Sequence, residues 1–210
     1  MNNSALILID LQNDFMPGGA LAVNNGDTVV TIANKLQMMF SVVIATQDWH
    51  PANHGSFASN HPDHHCGDII ILAGLPQVLW PTHCVQDTTG ADFVKNLELS
   101  DRIKIIRKGT NPIIDSYSGF FDNGWKQETK LRRYLQSLRI NTLYIMGLAT
   151  DYCVKSTVID ACKLGFKTYV IEDGCKGVNL QPNDSIQAFI AMRQAGAIII
   201  HSDYLIKAAA

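Results

Sequence analysis

The amino-acid sequence predicts a doubly wound α/β fold, in which a six-stranded, mostly parallel sheet carries helices on both faces. Short apolar runs alternate along the chain with segments of helical periodicity. The runs are apolar at consecutive positions, and such strands fit a parallel sheet that is covered on both sides. A chain of 210 residues with 47% hydrophobic content can bury a core of its own, so we expect one domain over residues 1–210.

Six apolar runs are the predicted strands. In chain order they cover residues 5–9, 42–46, 103–107, 142–147, 168–171 and 197–201. Segments between most of these runs repeat apolar residues at helical spacing, which predicts helices at residues 27–40, 124–138, 153–164 and 182–195. Pro182 near a helix start, and Gly165 and Gly196 near helix ends, are the expected punctuation.

An insertion at about residues 47–101 interrupts the alternation of strands and helices. It is rich in Pro, Gly, His and Asn. A connection of this length in a compact domain is usually functional or disordered. We expect it to carry a metal site and a lid, and to remain part of the one domain because Trp80 and the apolar run at 69–72 can pack back on the sheet.

Composition and charge limit the classes of partner. The formal net charge is −2, and the absence of any lysine- or arginine-rich cluster argues against nucleic acid or an anionic membrane. The apolar stretch at residues 5–9 is too short for a signal peptide, and no run of about 18 apolar residues exists to span a bilayer. Five cysteines without a CxxC pattern predict reduced thiols rather than a disulfide framework. We therefore expect a cytoplasmic protein that binds a small molecule, and the sequence leaves self-association open.

Polar residues follow four of the predicted strands. Asp10 comes after the first strand, Asp48 and His50 after the second, Lys108 after the third and Cys153 after the fourth. In open α/β sheets, ligands bind beyond the carboxyl ends of the strands. Any one of these residues alone is more often a cap or a turn residue, but their agreement at four strand ends predicts a site.

Cys153 is the predicted nucleophile. It lies where a strand pattern gives way to a helical one, and a helix start would favour a thiolate and a developing oxyanion. A nucleophilic cysteine also needs a base and a group that holds this base, and Asp10 and Lys108 can supply both. The alternatives without catalysis are that Cys153 is a small buried thiol and that Asp10 and Lys108 form a structural ion pair.

Carboxylate and imidazole groups in and before the insertion predict a metal site. Asp48 and His50 lie two residues apart, which places both on one face of extended backbone, and His54 and His83 are available further along. Mixed oxygen and nitrogen ligands suit one divalent ion such as Zn, Fe(II) or Mn. His64 and His65 are neighbours whose side chains point in opposite directions in extended backbone, so we expect them at the surface.

A family resemblance spans nearly the whole chain. The motifs that carry it are residues 8–21 (LIDLQNDFMPGGAL), 46–51 (TQDWHP), 80–86 (WPTHCVQ), 108–110 (KGT), 117–120 (YSGF) and 147–154 (GLATDYCV). With these motifs in this order, the chain resembles the pyrazinamidase/nicotinamidase family of the isochorismatase-like hydrolase superfamily.

The resemblance implies a metal-dependent amidase that converts nicotinamide to nicotinate and ammonia through a thioester, in NAD salvage. It makes Asp10, Lys108 and Cys153 the catalytic triad, and zinc the expected ion, with iron or manganese as alternatives. The implied metal ligands are Asp48, His50 and His83, with His54 a ligand in some relatives only.

The resemblance also implies how the substrate is held. Two aromatic residues, Phe15 and Trp80, would sandwich the pyridine ring. Three more would line the same pocket, namely Tyr117, Phe120 and Tyr152. A cis peptide bond at Leu148–Ala149 would aim the Ala149 N–H at the reacting oxygen, and the Cys153 N–H would complete the oxyanion hole.

Two other functions remain open at this point. An amidase of the same superfamily could act on another small carboxamide or on an N-carbamoyl amide. A non-catalytic, metal-dependent sensor of small molecules could keep the pocket and the ion, but it would need no nucleophile paired with a base.

Overall fold

A parallel sheet of six strands forms the middle of the protein in the computed structural model, which describes residues 3–100 and 102–209. The strand order is β5-β2-β1-β6-β7-β8, and every neighbouring pair in this sheet runs parallel. The bounds of these strands are β1 Ser4–Ile9, β2 Val43–Asp48, β5 Lys104–Lys108, β6 Thr142–Leu148, β7 Lys167–Lys176 and β8 Ile198–Ile200. All six predicted strands are present, and the predicted parallel sheet is confirmed.

Helices cover both faces of this sheet. Their bounds are α1 Thr28–Gln37, α2 Leu131–Ser137, α3 Lys155–Lys163, α4 Asp184–Gln194 and α5 Ser202–Ala209. α1 packs against α5, and α3 packs against α4. The helix α1 connects β1 to β2 toward one edge of the sheet, whereas α3 and α4 connect β6 to β7 and β7 to β8 toward the other edge. Because crossovers between parallel strands are right-handed, the pair α1 and α5 lies on one face and the pair α3 and α4 on the other. Among the described residues, no helix has both the length and the apolar character needed to cross a membrane.

Two helices differ from the sequence prediction. The segment predicted as a helix over 124–138 is helical only in α2, because the carboxylate of Asp122 accepts hydrogen bonds from the backbone N–H groups of Gly124, Lys126 and Gln127 and folds this stretch into turns. The helix α5 was not predicted. Its start depends on a distant residue, since the Asp173 carboxylate accepts hydrogen bonds from the N–H and the hydroxyl of Ser202.

The insertion contains a two-stranded antiparallel hairpin, β3 Ile69–Leu72 and β4 Leu75–Val78. The expectation that residues 69–72 pack back on the main sheet is wrong, because Ile69 and Ile71 are 68% and 70% exposed. The hairpin is anchored through Gln77 instead, whose side chain is buried. Trp80, which follows the hairpin, is buried as expected.

The carboxyl ends of the central strands meet at one edge of the sheet. Asp48 at the end of β2 lies opposite Lys108 at the end of β5, and Gly147 near the end of β6 lies opposite Ile9 at the end of β1. A side chain at Gly147, which has φ 128°, would collide with the backbone of Ile9. The close approach of β1 and β6 brings Asp10 to the residues that follow β6.

Candidate active site

Asp10, Lys108 and Cys153 meet at the edge of the sheet, as predicted. The Lys108 Nζ lies 2.9 Å from Asp10 Oδ2 and 3.3 Å from Cys153 Sγ. The same ammonium also donates to Asp48 Oδ1 at 2.6 Å and to the Ser116 carbonyl at 3.0 Å. All of these side chains are buried. Lys108 therefore connects the predicted nucleophile, the predicted base and a predicted metal ligand.

Electrostatics keeps Lys108 charged between two carboxylates. Burial acts to lower the pKa of Lys108, but Asp10 and Asp48 outweigh burial and raise this pKa well above its ordinary value. Burial likewise acts to raise the pKa of Asp48, but the positive charges of Lys108 and His50 outweigh it and lower this pKa. Asp48 is therefore an ionised carboxylate that can serve as a metal ligand.

Asp10 is a carboxylate poised to accept a proton. Burial raises its pKa to about 6; Lys108 opposes this rise and Asp48 adds to it. The Thr46 hydroxyl donates a hydrogen bond to Asp10 Oδ1 at 2.6 Å. The other oxygen, Oδ2, is ion-paired with Lys108 but accepts no hydrogen bond among the described residues. This oxygen is free to take a proton from a neighbour.

Cys153 lies in a single π-helical turn, Thr150–Val154, between β6 and α3. Such turns are often found at functional sites. The sequence predicts a helix start that favours a thiolate, but burial outweighs Lys108 and raises the pKa of the Cys153 thiol well above its ordinary value. The peptide bond Leu148–Ala149 is cis, as the family resemblance implies. Cys153 is therefore a protonated thiol, which would have to lose its proton to act as a nucleophile.

Asp48, His50 and His83 form a group that fits a divalent ion, since one ligand atom from each lies within 4.8 Å of the others. The His50 Nδ1 hydrogen-bonds to the Gly109 carbonyl at 2.8 Å, and the His83 Nδ1 to the Pro81 carbonyl at 2.8 Å. A carbonyl only accepts, so each Nδ1 carries a proton, and in the neutral ring each Nε2 keeps a lone pair. A hydrogen bond from the other ring nitrogen to a backbone carbonyl is typical of metal-binding histidines.

His54 is also buried, and its ring centre lies 4.4 Å from that of His50. It belongs to a different group, however, in which its partners are His50 and Asp115. Burial, followed by the charge on His50, lowers the pKa of both His54 and His83 to about 4. Asp48 acts in the opposite direction on His50 and raises its pKa, although burial alone would lower it.

Two polar residues that the sequence reasoning missed hold the metal group in place. The Gln12 amide accepts from the Asp48 N–H at 2.8 Å and donates to the Asp48 carbonyl at 2.8 Å. The Asp14 carboxylate accepts from the N–H of Cys84, next to His83, at 2.7 Å. Both belong to the motif at residues 8–21, whose polar positions were the available signal.

A cavity of about 360 Å³, including its open mouth, lies between the nucleophile and the metal group. Four predicted substrate-binding residues line it, namely Phe15, Trp80, Tyr117 and Tyr152. Its wall also includes Asp48, His50, His83, Ala149 and Cys153. The Trp80 Nε1–H donates to the Tyr117 hydroxyl at 3.0 Å, which fixes these two rings relative to each other.

Phe120 does not line this cavity. It is fully buried in the core and stacks on Phe166 with ring centres 5.9 Å apart. The reason is local: the Gly119 N–H donates to the Thr157 hydroxyl on α3, and this contact turns the next side chain into the core. The expectation of a substrate-binding Phe120 is therefore corrected.

Three cavity residues were missed, namely Leu21, Asp115 and Val178. Asp115 lies two positions before Tyr117, and this closeness in sequence to a predicted pocket residue was the signal that could have found it. Val178 is brought to the cavity by a distant contact, since the Asp151 carboxylate accepts a hydrogen bond from its N–H. No local pattern marks such a residue.

The surface predictions are confirmed. His64 and His65 are both exposed. All five cysteines are unpaired, as the spacing predicts.

Comparisons with known proteins match this chain over nearly its whole length. The model of the isochorismatase domain family matches residues 4–203. The nicotinamidase of Escherichia coli strain K12 is 54% identical over 201 residues, which is 93% of this chain and 93% of that protein.

Two solved structures extend the similarity to three dimensions. A nicotinamidase/pyrazinamidase from Acinetobacter baumannii superposes with a TM-score of 0.93 at 47% identity, over 98% of this chain and 99% of the other. The pyrazinamidase of Pyrococcus horikoshii in complex with zinc superposes with a TM-score of 0.78 at 38% identity, over 95% and 99%. The similarity therefore covers the sheet, the insertion and the site together.

Proposed function

The chain belongs to the isochorismatase family, with nicotinamidases among its most similar members, and from this premise we propose that it hydrolyses nicotinamide to nicotinate and ammonia. The observation that carries the proposal is the arrangement around one cavity. A cysteine with its base and a lysine lies on one side, and a group of metal ligands lies on the other. A small ring with a carboxamide and a ring nitrogen matches both sides.

The cavity supports a flat aromatic substrate. Phe15 and Trp80 both line it, and the hydrogen bond from Trp80 to Tyr117 holds the indole in a fixed orientation. Aromatic rings gain from stacking beyond simple burial, by about 0.5–1.5 kcal/mol per pair. In the proposed complex, the pyridine ring lies between Phe15 and Trp80 with its carboxamide toward Cys153.

The first chemical step transfers the Cys153 thiol proton to Asp10 Oδ2 as the sulfur attacks the carboxamide carbon. The raised pKa values of the thiol and of the carboxyl favour a proton transfer that accompanies attack rather than one that precedes it. The Lys108 ammonium contacts both groups and balances the negative charge that forms. The N–H groups of Ala149 and Cys153 are the proposed donors to the oxyanion.

The second step breaks the carbon–nitrogen bond. Asp10 returns its proton to the leaving nitrogen, ammonia departs, and a thioester to Cys153 remains. A water molecule then loses a proton to Asp10 and attacks the thioester carbon, which releases nicotinate and restores the thiol.

Asp48, His50 and His83 are the proposed ligands of one divalent ion. When bound, the ion would supply a Lewis-acid contact that orients the substrate through its ring nitrogen. The Nε2 lone pairs of the two histidines and the ionised Asp48 fit zinc, as do iron and manganese. The zinc in the Pyrococcus horikoshii relative supports zinc as the first choice.

The proposed reaction returns the pyridine ring to the synthesis of NAD, which places the enzyme in NAD salvage. A cytoplasmic location remains a prediction, and the five unpaired cysteines support it.

The competing proposal is an amidase for another small carboxamide or an N-carbamoyl amide. Benzamide separates the two, because it has the shape of nicotinamide but lacks the ring nitrogen. A nicotinamidase that uses its metal group is expected to prefer nicotinamide over benzamide in kcat/KM by at least about tenfold, which corresponds to about 1.4 kcal/mol. Equal rates on both would favour the competing proposal.

The direct test measures ammonia and nicotinate from purified protein supplied with nicotinamide. The assay is run on the protein as purified, after removal of divalent ions by a chelator, and after addition of zinc, iron(II) or manganese. We expect stoichiometric release of both products, loss of activity on chelation and recovery with at least one ion. Undiminished turnover by fully metal-free protein would contradict the metal centre, and no turnover under any condition would contradict the amidase.

A further inference from the structure

The hairpin of the insertion reaches the cavity wall through the side chain of Gln77. This residue lies on β4, opposite Ile70 of β3, and is only 3% exposed. Its amide nitrogen Nε2 lies 2.8 Å from the Val78 carbonyl, 3.1 Å from Asp115 Oδ2 and 2.9 Å from the Tyr117 hydroxyl. Gln77 does not line the cavity itself, but Tyr117 does. Any effect of Gln77 on a bound molecule is therefore indirect.

The partners of this amide fix the direction of its hydrogen bond to Tyr117. The Val78 carbonyl and the Asp115 carboxylate are acceptors, so the nitrogen of the Gln77 amide faces them and its oxygen does not. An amide nitrogen donates hydrogen bonds and does not accept them. The Tyr117 hydroxyl therefore accepts from Gln77 and cannot donate to it.

The Tyr117 hydroxyl accepts a second hydrogen bond, from the indole of Trp80. The indole N–H is a donor only, and the Nε1 of Trp80 lies 3.0 Å from this oxygen. A hydroxyl oxygen has two acceptor lone pairs, so Gln77 and Trp80 together use both. The hydroxyl is thus held between a donor on the hairpin and a donor in the cavity wall. Loss of the Gln77 donor would leave the oxygen tethered at Trp80 alone.

Ring contacts alone do not set the orientation of Trp80. Its indole meets the Tyr152 ring edge to face, with centres 4.7 Å apart and planes at 89°, and Tyr117 meets the same ring at 5.4 Å. Aromatic contacts tolerate a range of offsets, with ring centres between about 4.5 and 7 Å apart. A hydrogen bond is more restrictive, since it needs a donor–acceptor distance of about 2.7–3.2 Å and a nearly straight angle. The N–H of Trp80 is therefore the contact that fixes the tilt of its face.

We propose that Gln77 is a positioning residue for the substrate ring. Its N–H holds the Tyr117 hydroxyl, this hydroxyl holds the Trp80 indole, and the indole presents the face on which the pyridine ring stacks. The inference rests on the proposed function, and it extends the ring-binding wall to a residue that touches neither the cavity nor the reacting atoms. It also gives the hairpin a role, since β4 supplies the first donor of this chain of hydrogen bonds.

Two other routes could connect Gln77 to activity. Gln77 also donates to Asp115, which lines the cavity together with the proposed metal ligands. It also anchors the hairpin, whose loss of order would loosen the whole insertion. The first route would change the metal group and the second would change stability, whereas the proposed route changes the binding of a ring. The three routes therefore predict different measurements.

Hydrogen exchange at the indole N–H groups measures how firmly Trp80 is held. We compare wild type with Gln77→Met, which keeps the approximate shape of glutamine without its donor, with Tyr117→Phe, and with Ile71→Gln as the control at an exposed position of the same hairpin. The chain has three tryptophans, and Trp80→Phe identifies the signal of Trp80. We expect its exchange to be about 5- to 10-fold faster in Gln77→Met and in Tyr117→Phe, as for the loss of one hydrogen bond, and unchanged in Ile71→Gln. An unchanged rate at Trp80 in Gln77→Met would overturn the inference.

Steady-state kinetics separates ring binding from the other two routes. Contacts to the ring are made equally before and during the reaction, so their loss raises KM with little change in kcat. We expect KM for nicotinamide to rise about 5- to 10-fold in both Gln77→Met and Tyr117→Phe, with kcat within about twofold of wild type. The content of bound ion should stay at that of wild type. A fall in kcat at constant KM, or a loss of bound ion in Gln77→Met, would overturn the inference.

The double variant of Gln77→Met and Tyr117→Phe tests whether Gln77 acts through Tyr117. If it does, Gln77→Met adds nothing once the hydroxyl is gone, and KM in the double variant equals KM in Tyr117→Phe within about twofold. If the effects of the two substitutions multiply instead, Gln77 acts by another route and the inference is wrong.

The side-chain amide of Gln77 gives a measurement that does not depend on the folding of Gln77→Met. In Tyr117→Phe, the nitrogen-15 NMR signal of this amide should move and its protons should exchange faster, because they lose the hydroxyl acceptor. A signal that stays in place would contradict the inference. If wild type released no ammonia from nicotinamide, the proposed function would be refuted, whereas exchange at Trp80 would still decide whether Gln77 positions the indole.

Discussion

The two sides of the site are built by different means. The strand-end half consists of Asp10, Lys108 and Cys153, which follow or end strands of the parallel sheet. The insertion half consists of His50, His54 and His83, which lie on irregular backbone. Sheet register places the first group, so that Lys108 lies opposite Asp48 in the adjacent strand.

Irregular pairings between distant segments place the insertion half. The His50 N–H donates to the Cys84 carbonyl, and the Gln86 N–H donates to the His50 carbonyl. Further along, the Trp80 N–H donates to the Ser56 carbonyl. These contacts fix the loop without a helix or a long strand, and they bring His83 beside His50.

The two halves also differ in what sets the protonation of their side chains. Burial sets the proton affinities in the strand-end half, since it raises the pKa of both Asp10 and Cys153. Backbone groups set the tautomers in the insertion half. In the strand-end half, Asp10 Oδ2 is a buried carboxylate oxygen that accepts no hydrogen bond among the described residues. In the proposed mechanism, this oxygen takes the proton of the Cys153 thiol.

Removing the nucleophile breaks the strand-end half alone and has the largest expected effect. Cys153→Ala should lower kcat for nicotinamide hydrolysis by about 10⁴- to 10⁶-fold, as loss of a covalent nucleophile does elsewhere. The insertion half should be unaffected, with one divalent ion still bound per chain. Ammonia release measures the first effect, and metal analysis of the purified variant measures the second.

Cys162→Ala is the matched control, since Cys162 lies on α3 and is not part of the cavity. We expect it to retain activity. Appreciable ammonia release by Cys153→Ala would contradict the covalent route, and loss of the ion in that variant would show that the halves are not independent.

Removing Lys108 breaks the link between the halves. Lys108→Met leaves the buried carboxylates of Asp10 and Asp48 without their cation. Removal of one partner from a buried ion pair costs about 3–5 kcal/mol of unfolding free energy. Denaturant unfolding of the metal-free proteins measures this loss.

Lys104→Met on the same strand is the matched control, because Lys104 is exposed. Surface changes of this kind are usually within about 0.5 kcal/mol. A loss below about 1 kcal/mol in Lys108→Met would mean that the two carboxylates do not depend on the lysine.

The two halves were not equally predictable from sequence. Apolar runs gave the strands, and strands in a parallel sheet bring their carboxyl ends together, so Asp10, Lys108 and Cys153 followed from pattern and topology. The high pKa of Cys153 did not follow, because it depends on burial by residues distant in sequence. Likewise, the start of α5 at Ser202 depends on a hydrogen bond to Asp173, which lies on β7 and is distant in sequence.

In the insertion half, motif resemblance implied His50 and His83 as metal ligands but left the role of His54 open. His54 was expected either as a ligand or as a bystander, and only its contact with Ser56 separates it from His50 and His83. Phe120 was misplaced because a contact from Gly119 to α3 sets its direction. Asp115 was missed because it is a single acidic residue outside any helix or strand, where no repeating sequence pattern indicates which residues face a pocket.

Thr46 offers the smallest and most specific test of the strand-end half. Its hydroxyl donates to Asp10 Oδ1 and favours the ionised carboxylate, so it lowers the pKa of Asp10 against the rise that burial causes. In the proposed mechanism Asp10 acts as a base and must be ionised, so kcat/KM for wild type should fall as the pH drops through about 6. Thr46→Val removes the hydrogen bond and should move this acid limb upward by about one pH unit, since a hydrogen bond to a charged group contributes about 1.5–3 kcal/mol and one unit is about 1.4 kcal/mol. Thr168→Val, at a buried threonine on β7, should leave the limb in place. If the acid limb stays fixed or moves downward in Thr46→Val, a group other than Asp10 controls the proton. If the limb shifts upward while the metal content stays unchanged, the proton depends on the strand-end half and the ion on the insertion half.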